Sequence, residues 1–178
     1  MSDAPETISP SFTMPELLAH ALVIELEAIQ SYKELAAQME QCGNNDVAEL
    51  FEKMSELEAE HAAKIRQQAG DTELPELAPW EYRWPGMESP ESIDLAGIHY
   101  LMTPHHALML ALENEKNAMA FFEAIAKGSE EEENVRALAA EFADDERQHV
   151  AWMEDWLAKY PEPDAGWDDD PDPPAVVE

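Results

Sequence analysis

Residues 50–65, LFEKMSELEAEHAAKI, contain the pattern on which the fold prediction rests. Their apolar side chains recur at the spacing of one face of an α-helix, and Glu58 and His61 lie one turn apart on that face. The face consists of Leu50, Met54, Leu57, His61 and Ile65. The sequence therefore predicts a helix that directs a carboxylate and an imidazole toward the protein core.

A second stretch repeats this pattern in the other half of the chain. Residues 138–153 read LAAEFADDERQHVAWM and place Glu146 and His149 at the same spacing and on the same kind of apolar face. A single Glu-x-x-His pair would mean little in a chain so rich in glutamate, but two pairs in matched register indicate a repeat.

The segments that precede these two stretches also match each other. Each contains one glutamate, Glu25 or Glu115, at a position where an apolar helical stripe should continue. The matching pairs are Leu18/Leu108, Ala21/Ala111, Leu22/Leu112, Glu25/Glu115, Ala28/Ala118, Tyr32/Phe122 and Ala36/Ala126. The two halves therefore look like copies of one helical hairpin.

Helical spacing continues from Pro15 to Pro161, so the predicted fold class is all-α. Helices are predicted at about 15–41, 46–69, 104–128 and 129–161, with a turn and restart cap at Gly43-Asn44-Asn45 and a capping box of Ser129 with Glu132. Four prolines interrupt residues 71–103, which we interpret as a packed crossover. Short, long and short connections predict a four-helix bundle with one crossover, between helices 2 and 3.

Three regions follow from this organisation: an N-terminal extension at 1–14, the bundle domain at 15–160 and an acidic tail at 161–178. The tail combines aspartates with prolines, so we expect it to be disordered, with Trp167 as its candidate anchor. The aromatic side chains of the crossover are expected to pack over the bundle, with a subunit contact as the alternative. These side chains are Trp80, Tyr82 and Trp84.

The charge balance excludes several classes of partner. Of 178 residues, 40 are acidic and 10 are basic, which gives a formal net charge of −30. A surface this acidic repels nucleic-acid phosphates and anionic lipids, so we expect neither nucleic-acid nor membrane binding. We find no membrane helix or secretory signal in the sequence and expect a cytoplasmic protein. A single cysteine, Cys42, excludes a disulfide framework or a cysteine-rich metal site within the chain.

Four carboxylates directed into a helical core need a compensating charge. Each loses solvation at a cost of several kcal/mol, and their mutual repulsion adds to it. Two divalent cations would balance the four charges and leave one imidazole for each ion, a donor set that suits iron or manganese. For Glu25 and Glu115, a solvated helix face and burial with core hydrogen bonds are the alternative interpretations.

The motifs resemble a known family. Glu-x-x-Ala-x-x-x-Tyr from Glu25, Glu-x-x-His from Glu58, Glu-x-x-Ala-x-x-x-Phe from Glu115 and Glu-x-x-His from Glu146 are similar to the rubrerythrin branch of the ferritin-like superfamily, over about residues 15–160. The resemblance implies a ferritin-like bundle whose non-haem di-iron centre reacts with hydrogen peroxide or dioxygen, for peroxide removal or iron oxidation. A manganese or mixed-metal pair is the alternative cofactor.

The resemblance also implies roles for individual residues. The metal ligands would be Glu25, Glu58, His61, Glu115, Glu146 and His149. Glu58 and Glu146 would bridge the two ions, and the hydroxyl of Tyr32 would hydrogen-bond to a ligand carboxylate.

Three departures from the family pattern bear on function. The chain has no Cys-x-x-Cys pairs of a rubredoxin domain, so electrons must come from a separate rubredoxin-like donor or from ferrous iron as substrate. The extra glutamate that rubrerythrin places one turn after the third-helix ligand is Ala118 here. The second tyrosine of the symmetric pair is Phe122. We further expect a homodimer or larger homo-oligomer.

Other polar residues support weaker hypotheses. His20, His99, His105 and His106 have no counterparts in the other half; His105 and His106 are interpreted as surface residues, or else as part of a metal uptake route. Asp145 either orients a ligand imidazole or is solvated. The leading hypothesis for function is a di-iron oxidoreductase. The alternatives are oxidation of a small organic substrate, iron binding or handling without turnover, and a metal-free interaction module.

Overall fold

The computed structural model describes residues 11–84, 89–93, 98–128 and 132–169. Within these residues there are four α-helices, a single short 3-10 turn and no strands. The helices are α1 (Met14–Gln41), α2 (Asn45–Ala69), α3 (Pro104–Ala126) and α4 (Glu133–Leu157), and the 3-10 turn is Pro79–Glu81. The all-α, four-helix prediction is therefore confirmed. No described helix is both long enough and apolar enough to cross a lipid bilayer.

The bundle consists of two helical hairpins. α1 packs along α2 and α3 packs along α4, while α2 with α3 and α1 with α4 make the smaller contacts between hairpins. Gly43 allows the tight first connection because its φ of 77° lies in the left-handed region. The hairpins expected from the repeat are thus the strongly packed units.

Two helix starts differ from the sequence prediction. Asn44 occupies the N-cap position of α2 but makes no capping bond; its side chain donates to the carbonyl of Met102 at 2.7 Å and ties the hairpin turn to the crossover. Glu132 is the N-cap of α4, so the predicted capping box from Ser129 is wrong, and Ser129 itself lies outside the described residues. Val135, in the first turn of α4, is the first residue of the helix that is buried in the core.

The apolar core is divided into two clusters, one toward each end of the bundle. One contains residues from the second half of α1, the first half of α2 and the first half of α3, and the other contains the complementary halves. The four glutamates and two histidines singled out by the repeat fall between the clusters on every helix. Apolar packing on both sides therefore holds these polar residues at the middle of the bundle.

The aromatic residues of the crossover behave differently from one another. The Trp84 ring packs edge-on against His20, 5.3 Å between centroids, and against Phe121 at 5.5 Å. Trp80 is 85% exposed, so the expectation that it packs over the bundle is wrong. Trp80 lies in the 3-10 turn Pro79–Glu81, none of whose residues is buried.

Part of the acidic tail is ordered against the bundle. Trp167 is half-buried and its ring lies 3.9 Å from that of His106 at the start of α3. The anchor expected at Trp167 is therefore present. Residues 170–178, which belong to the part of the tail expected to be disordered, lie outside the described residues.

Candidate metal centre

Each hairpin brings one trio of potential ligands together. Glu25 of α1 meets Glu58 and His61 of α2, and their ligand atoms all lie within 4.8 Å of one another. The second hairpin has an equivalent trio, which consists of Glu115, Glu146 and His149, and its ligand atoms also lie within 4.8 Å of one another. All six residues selected from the sequence repeat are thus assembled in two equivalent sets.

The geometry within the two trios is similar. In the first, Nδ1 of His61 lies 3.1 Å from Oε2 of Glu58 and 3.6 Å from Oε2 of Glu25. In the second, Nδ1 of His149 lies 2.9 Å from Oε2 of Glu146 and 3.2 Å from Oε2 of Glu115. One imidazole nitrogen and two carboxylate oxygens therefore converge at each site.

The trios adjoin each other at the centre of the bundle. The rings of His61 and His149 stack with centroids 3.9 Å apart and planes 5° from parallel. The four glutamate side chains are buried, between 1% and 3% exposed. This burial excludes a solvated helix face for Glu25 and Glu115, which was one of the alternative interpretations.

Burial makes the site electrostatically costly without a cation. Burial raises the pKa of Glu115 to about 8, and the nearby carboxylates of Glu58 and Glu146 contribute to the rise. Burial likewise raises the pKa of Glu25 well above its ordinary value, with Glu58 and Glu146 adding to the effect. In the metal-free protein burial therefore favours the protonated form of both carboxyls, and Glu115 is mostly protonated at neutral pH.

The pKa values of both trio histidines are raised, which favours the charged form of each imidazole. Burial lowers the pKa of His61, but contacts with the carboxylates of Glu25 and Glu58 outweigh it and raise the pKa to about 11. The pKa of His149 rises to about 9 because Glu115 and Glu146 overcome the same effect of burial. The metal-free site therefore neutralises its carboxylates with protons and imidazolium charges, which a metal would have to replace.

The donor set fits a pair of transition-metal ions. Four carboxylates and two imidazoles supply the oxygen and nitrogen ligands that iron and manganese accept, with a total charge that two divalent ions balance. Among the described residues no donor lies within hydrogen-bond distance of Oε2 of Glu25, and Nδ1 of His61 is 3.6 Å away, which argues against burial satisfied by core hydrogen bonds alone. The residues present are thus those a di-metal centre requires.

A small cavity adjoins both trios. It has a volume of about 20 Å³, is lined by Glu25, His61, Glu146 and His149, and is bordered by Lys64 and Asp145. Lys64 and Asp145 form an ion pair between α2 and α4. Asp145 therefore pairs with a lysine rather than with a ligand imidazole. The cavity has room for a water molecule or a ligand of similar size.

Tyr32 lies beside the trios with a partner that differs from the expected one. It is 1% exposed, and the side chain of Asn114 lies within hydrogen-bonding reach of its hydroxyl. Burial raises the pKa of Tyr32 well above its ordinary value, and the negative charges of Glu58 and Glu115 act in the same direction. The phenol therefore stays protonated close to the carboxylates.

Sequence reasoning did not single out Glu91, which is 2% exposed and lies among the same carboxylates. Glu91 follows Pro90 in the crossover, where no helical periodicity indicates which side chains face inward. In the sequence Glu91 is distinguished only by its position after a proline, which does not indicate a role in the site.

The remaining histidines lie apart from the trios. His20 is buried, with Nδ1 2.7 Å from the carbonyl of Glu16 and Nε2 accepting the Arg83 backbone N–H at 3.3 Å. His106 accepts the backbone N–H of Thr103 at 3.1 Å and so caps α3. Nδ1 of His105 lies 3.2 Å from the carbonyl of Tyr160. Nδ1 of His99 accepts the backbone N–H of Leu101 at 3.1 Å, so all four histidines have structural partners.

Comparison with known proteins agrees with this geometry. The rubrerythrin family model matches residues 16–94. An uncharacterized conserved protein from Magnetospirillum magnetotacticum MS-1, whose crystal structure is known, is 37% identical, with 86% of this chain and 99% of that chain covered and a TM-score of 0.64. No curated protein matches. At this identity and coverage the likeness extends well beyond the fold, and the chain belongs to the rubrerythrin-like branch of the ferritin-like superfamily.

Proposed function

We propose that the chain is a non-haem di-iron oxidoreductase that reacts with hydrogen peroxide or dioxygen, as a peroxidase or a ferroxidase. The observation that carries the proposal is the pair of buried, equivalent Glu-Glu-His trios whose histidine rings stack at the bundle centre. Membership of the rubrerythrin-like branch supports the same chemistry. Manganese or a mixed pair is the alternative to iron, because the same donor set suits both metals.

The six trio residues would hold two ions, each by one imidazole and by terminal or bridging carboxylate oxygens. Two bound ferrous ions would supply the two electrons that, with two protons, convert one molecule of peroxide into two molecules of water. The chain's contribution is to hold these donors in a dry, preorganised core, so that little reorganisation accompanies the reaction.

The space beside the trios favours a small oxidant. A cavity of about 20 Å³ accommodates a molecule the size of water but not an organic substrate. The protonated phenol of Tyr32 provides a hydrogen-bond donor near the carboxylates of Glu58 and Glu115. These features support peroxide or dioxygen as the reactant over oxidation of a small organic compound.

A second candidate function is iron binding or handling without catalytic turnover. The net charge of −30 would raise the local concentration of cations around the protein and so help it to collect iron. In this case the same two sites would load with iron, but peroxide would not be consumed repeatedly. In the catalytic case a separate rubredoxin-like protein or ferrous iron would supply electrons.

The test is stopped-flow oxidation of protein reconstituted anaerobically with ferrous iron. We expect two iron ions per chain, oxidation of both by one molecule of peroxide, and repeated turnover when a reductant is present. Glu58→Ala should lose this reaction, whereas Glu60→Ala, an exposed neighbour on α2, should retain it. Oxidation no faster than that of free ferrous iron would overturn the redox proposal. Full loading with a single round of oxidation would favour iron handling.

A further inference from the structure

Glu91 is a buried carboxyl group with no hydrogen-bond partner among the residues that the structure describes. Its side chain is 2% exposed, and within those residues no donor reaches either carboxylate oxygen. It also forms no ion pair within the part of the chain that the structure describes. A buried polar group in this condition is costly, and buried carboxylates are normally paired or bound to metal.

The backbone of Glu91 is held against the third helix. Nδ2 of Asn114 donates to the carbonyl of Glu91 at 3.1 Å, and Asn114 is itself 5% exposed. Asn114 directly precedes Glu115, and its side chain lies within hydrogen-bonding reach of the Tyr32 hydroxyl. The crossover is therefore pinned beside the metal-binding face of α3 rather than lying loosely over the bundle.

Glu91 is electrostatically coupled to all four glutamates of the trios. Burial raises the pKa of Glu91 well above its ordinary value, and the charges of Glu58, Glu25, Glu146 and Glu115 each raise it further. The carboxyl of Glu91 is therefore close enough to the four carboxylates for their charges to act on its pKa. A cation placed among the four would reverse the sign of this interaction and favour ionised Glu91.

We propose that Glu91 is an additional metal ligand, a fifth carboxylate that the crossover contributes to the centre built by the helices. The proposal rests on the di-metal centre proposed above. Glu91 belongs to neither trio, so it adds a donor to two sets that already assemble without it. A metal ion would be the partner that the two carboxylate oxygens of Glu91 lack among the described residues. The crossover would then contribute a ligand to the site.

The test is titration of the metal-free protein with Co²⁺, whose visible d–d bands report the number and kind of ligands without redox chemistry. Glu91→Gln should lower cobalt affinity by about tenfold or more and change the d–d spectrum, as expected when a ligand is lost. Glu76→Gln is the matched control, because Glu76 is an exposed glutamate of the same crossover. Circular dichroism checks that each variant retains its helices.

The outcomes separate this proposal from the one on which it rests. Wild-type protein that fails to bind two Co²⁺ ions would overturn the di-metal centre itself. Two ions bound by wild type and by Glu91→Gln, with the same affinity and spectrum, would overturn only the role of Glu91 and identify it as a neutral buried acid. If Glu91→Gln does not fold, Glu91→Leu replaces the carboxyl with an apolar side chain of similar volume, and an unchanged cobalt affinity and spectrum in that variant would equally refute ligation.

Discussion

At the scale of single residues, bound protons offset the negative charge of the trio carboxylates in the metal-free protein, a role that metal ions would take over. His61, with a pKa of about 11, and His149, with a pKa of about 9, are imidazolium ions at neutral pH in the metal-free protein. The carboxyl of Glu115, with a pKa of about 8, is mostly protonated there as well. Because metal ligands must be deprotonated, binding has to release these protons.

The first prediction concerns pH and Glu115. A carboxyl with a raised folded pKa stabilises the fold fully below its unfolded pKa, and this contribution is lost as pH rises through the folded pKa. For Glu115 the window runs from 4.5 to about 8, so the melting temperature of metal-free protein should fall across it. Glu115→Gln should flatten this fall, raise the metal-free melting temperature above about pH 8 and reduce the increment that metal adds.

Thermal unfolding followed by circular dichroism, with and without metal across that pH range, measures all three effects. Glu113→Gln is the control, since Glu113 is exposed on the same helix and should leave the pH profile unchanged. A pH profile of Glu115→Gln that superimposes on the wild-type one would show that Glu115 does not hold the inferred proton.

The second prediction concerns Tyr32. Tyr32→Phe keeps the buried ring and copies the residue at the equivalent position, Phe122, so its cost should be about 1 kcal/mol, the scale of one hydrogen bond. Loss of the phenol next to the carboxylates should slow re-oxidation of the reduced centre. Urea unfolding measures the first effect, and single-turnover stopped-flow kinetics measures the second. Unchanged kinetics would assign Tyr32 to packing and to its contact with Asn114 alone.

At the scale of elements, each hairpin supplies a complete trio and the remaining segments support it. Turn and crossover are connected by the bond from Asn44 to the Met102 carbonyl, and crossover and α1 by the ion pair of Arg83 with Glu16. The tail contacts the bundle through Trp167 on His106. His106 lies nine residues before Glu115, about two and a half helical turns along α3, so tail contact and metal site are separate.

The third prediction follows from this separation. Truncation after Pro163 removes the Trp167 ring and should cost about 1 kcal/mol of stability, the scale of one aromatic contact, while metal content and peroxide reactivity are retained. A truncation after Asp169 keeps Trp167 and is the matched control. Denaturant unfolding and metal analysis of both proteins provide the comparison. Slower iron loading by the shorter protein at low salt, not restored by more iron or longer incubation, would instead give the tail a role in metal delivery.

At the scale of the whole molecule, we expect metal binding to be coupled to folding across the two halves. Residues from all four helices meet at the centre, and contacts between hairpins are fewer than those within each hairpin. A pair of ions shared between the trios would connect the two hairpins at the centre of the bundle. Stability of the bundle should therefore depend on metal more than its apolar clusters alone suggest.

The fourth prediction is the effect of metal removal. Free metal at about 100 times its dissociation constant stabilises the folded state by about 2.7 kcal/mol per site. For a domain of this size each kcal/mol raises the melting temperature by about 2–4 °C, so removal of both ions by chelation should lower it by at least about 10 °C. Differential scanning calorimetry before and after chelation measures the shift. Glu58→Ala should show a much smaller shift, and an identical shift in that variant would place the bound metal elsewhere.

The sequence by itself determined the four helices and the six trio residues, because 3.6-residue periodicity decides which side chains share a helix face and the repeat exposes polar residues on an apolar one. The small cavity, the Lys64–Asp145 pair and the different exposures of Trp80 and Trp84 depended on how the hairpins and crossover pack. Only the tertiary structure placed Glu91 among the carboxylates. Irregular backbone has no period, so the direction of its side chains is set by distant contacts such as the bond from Asn114.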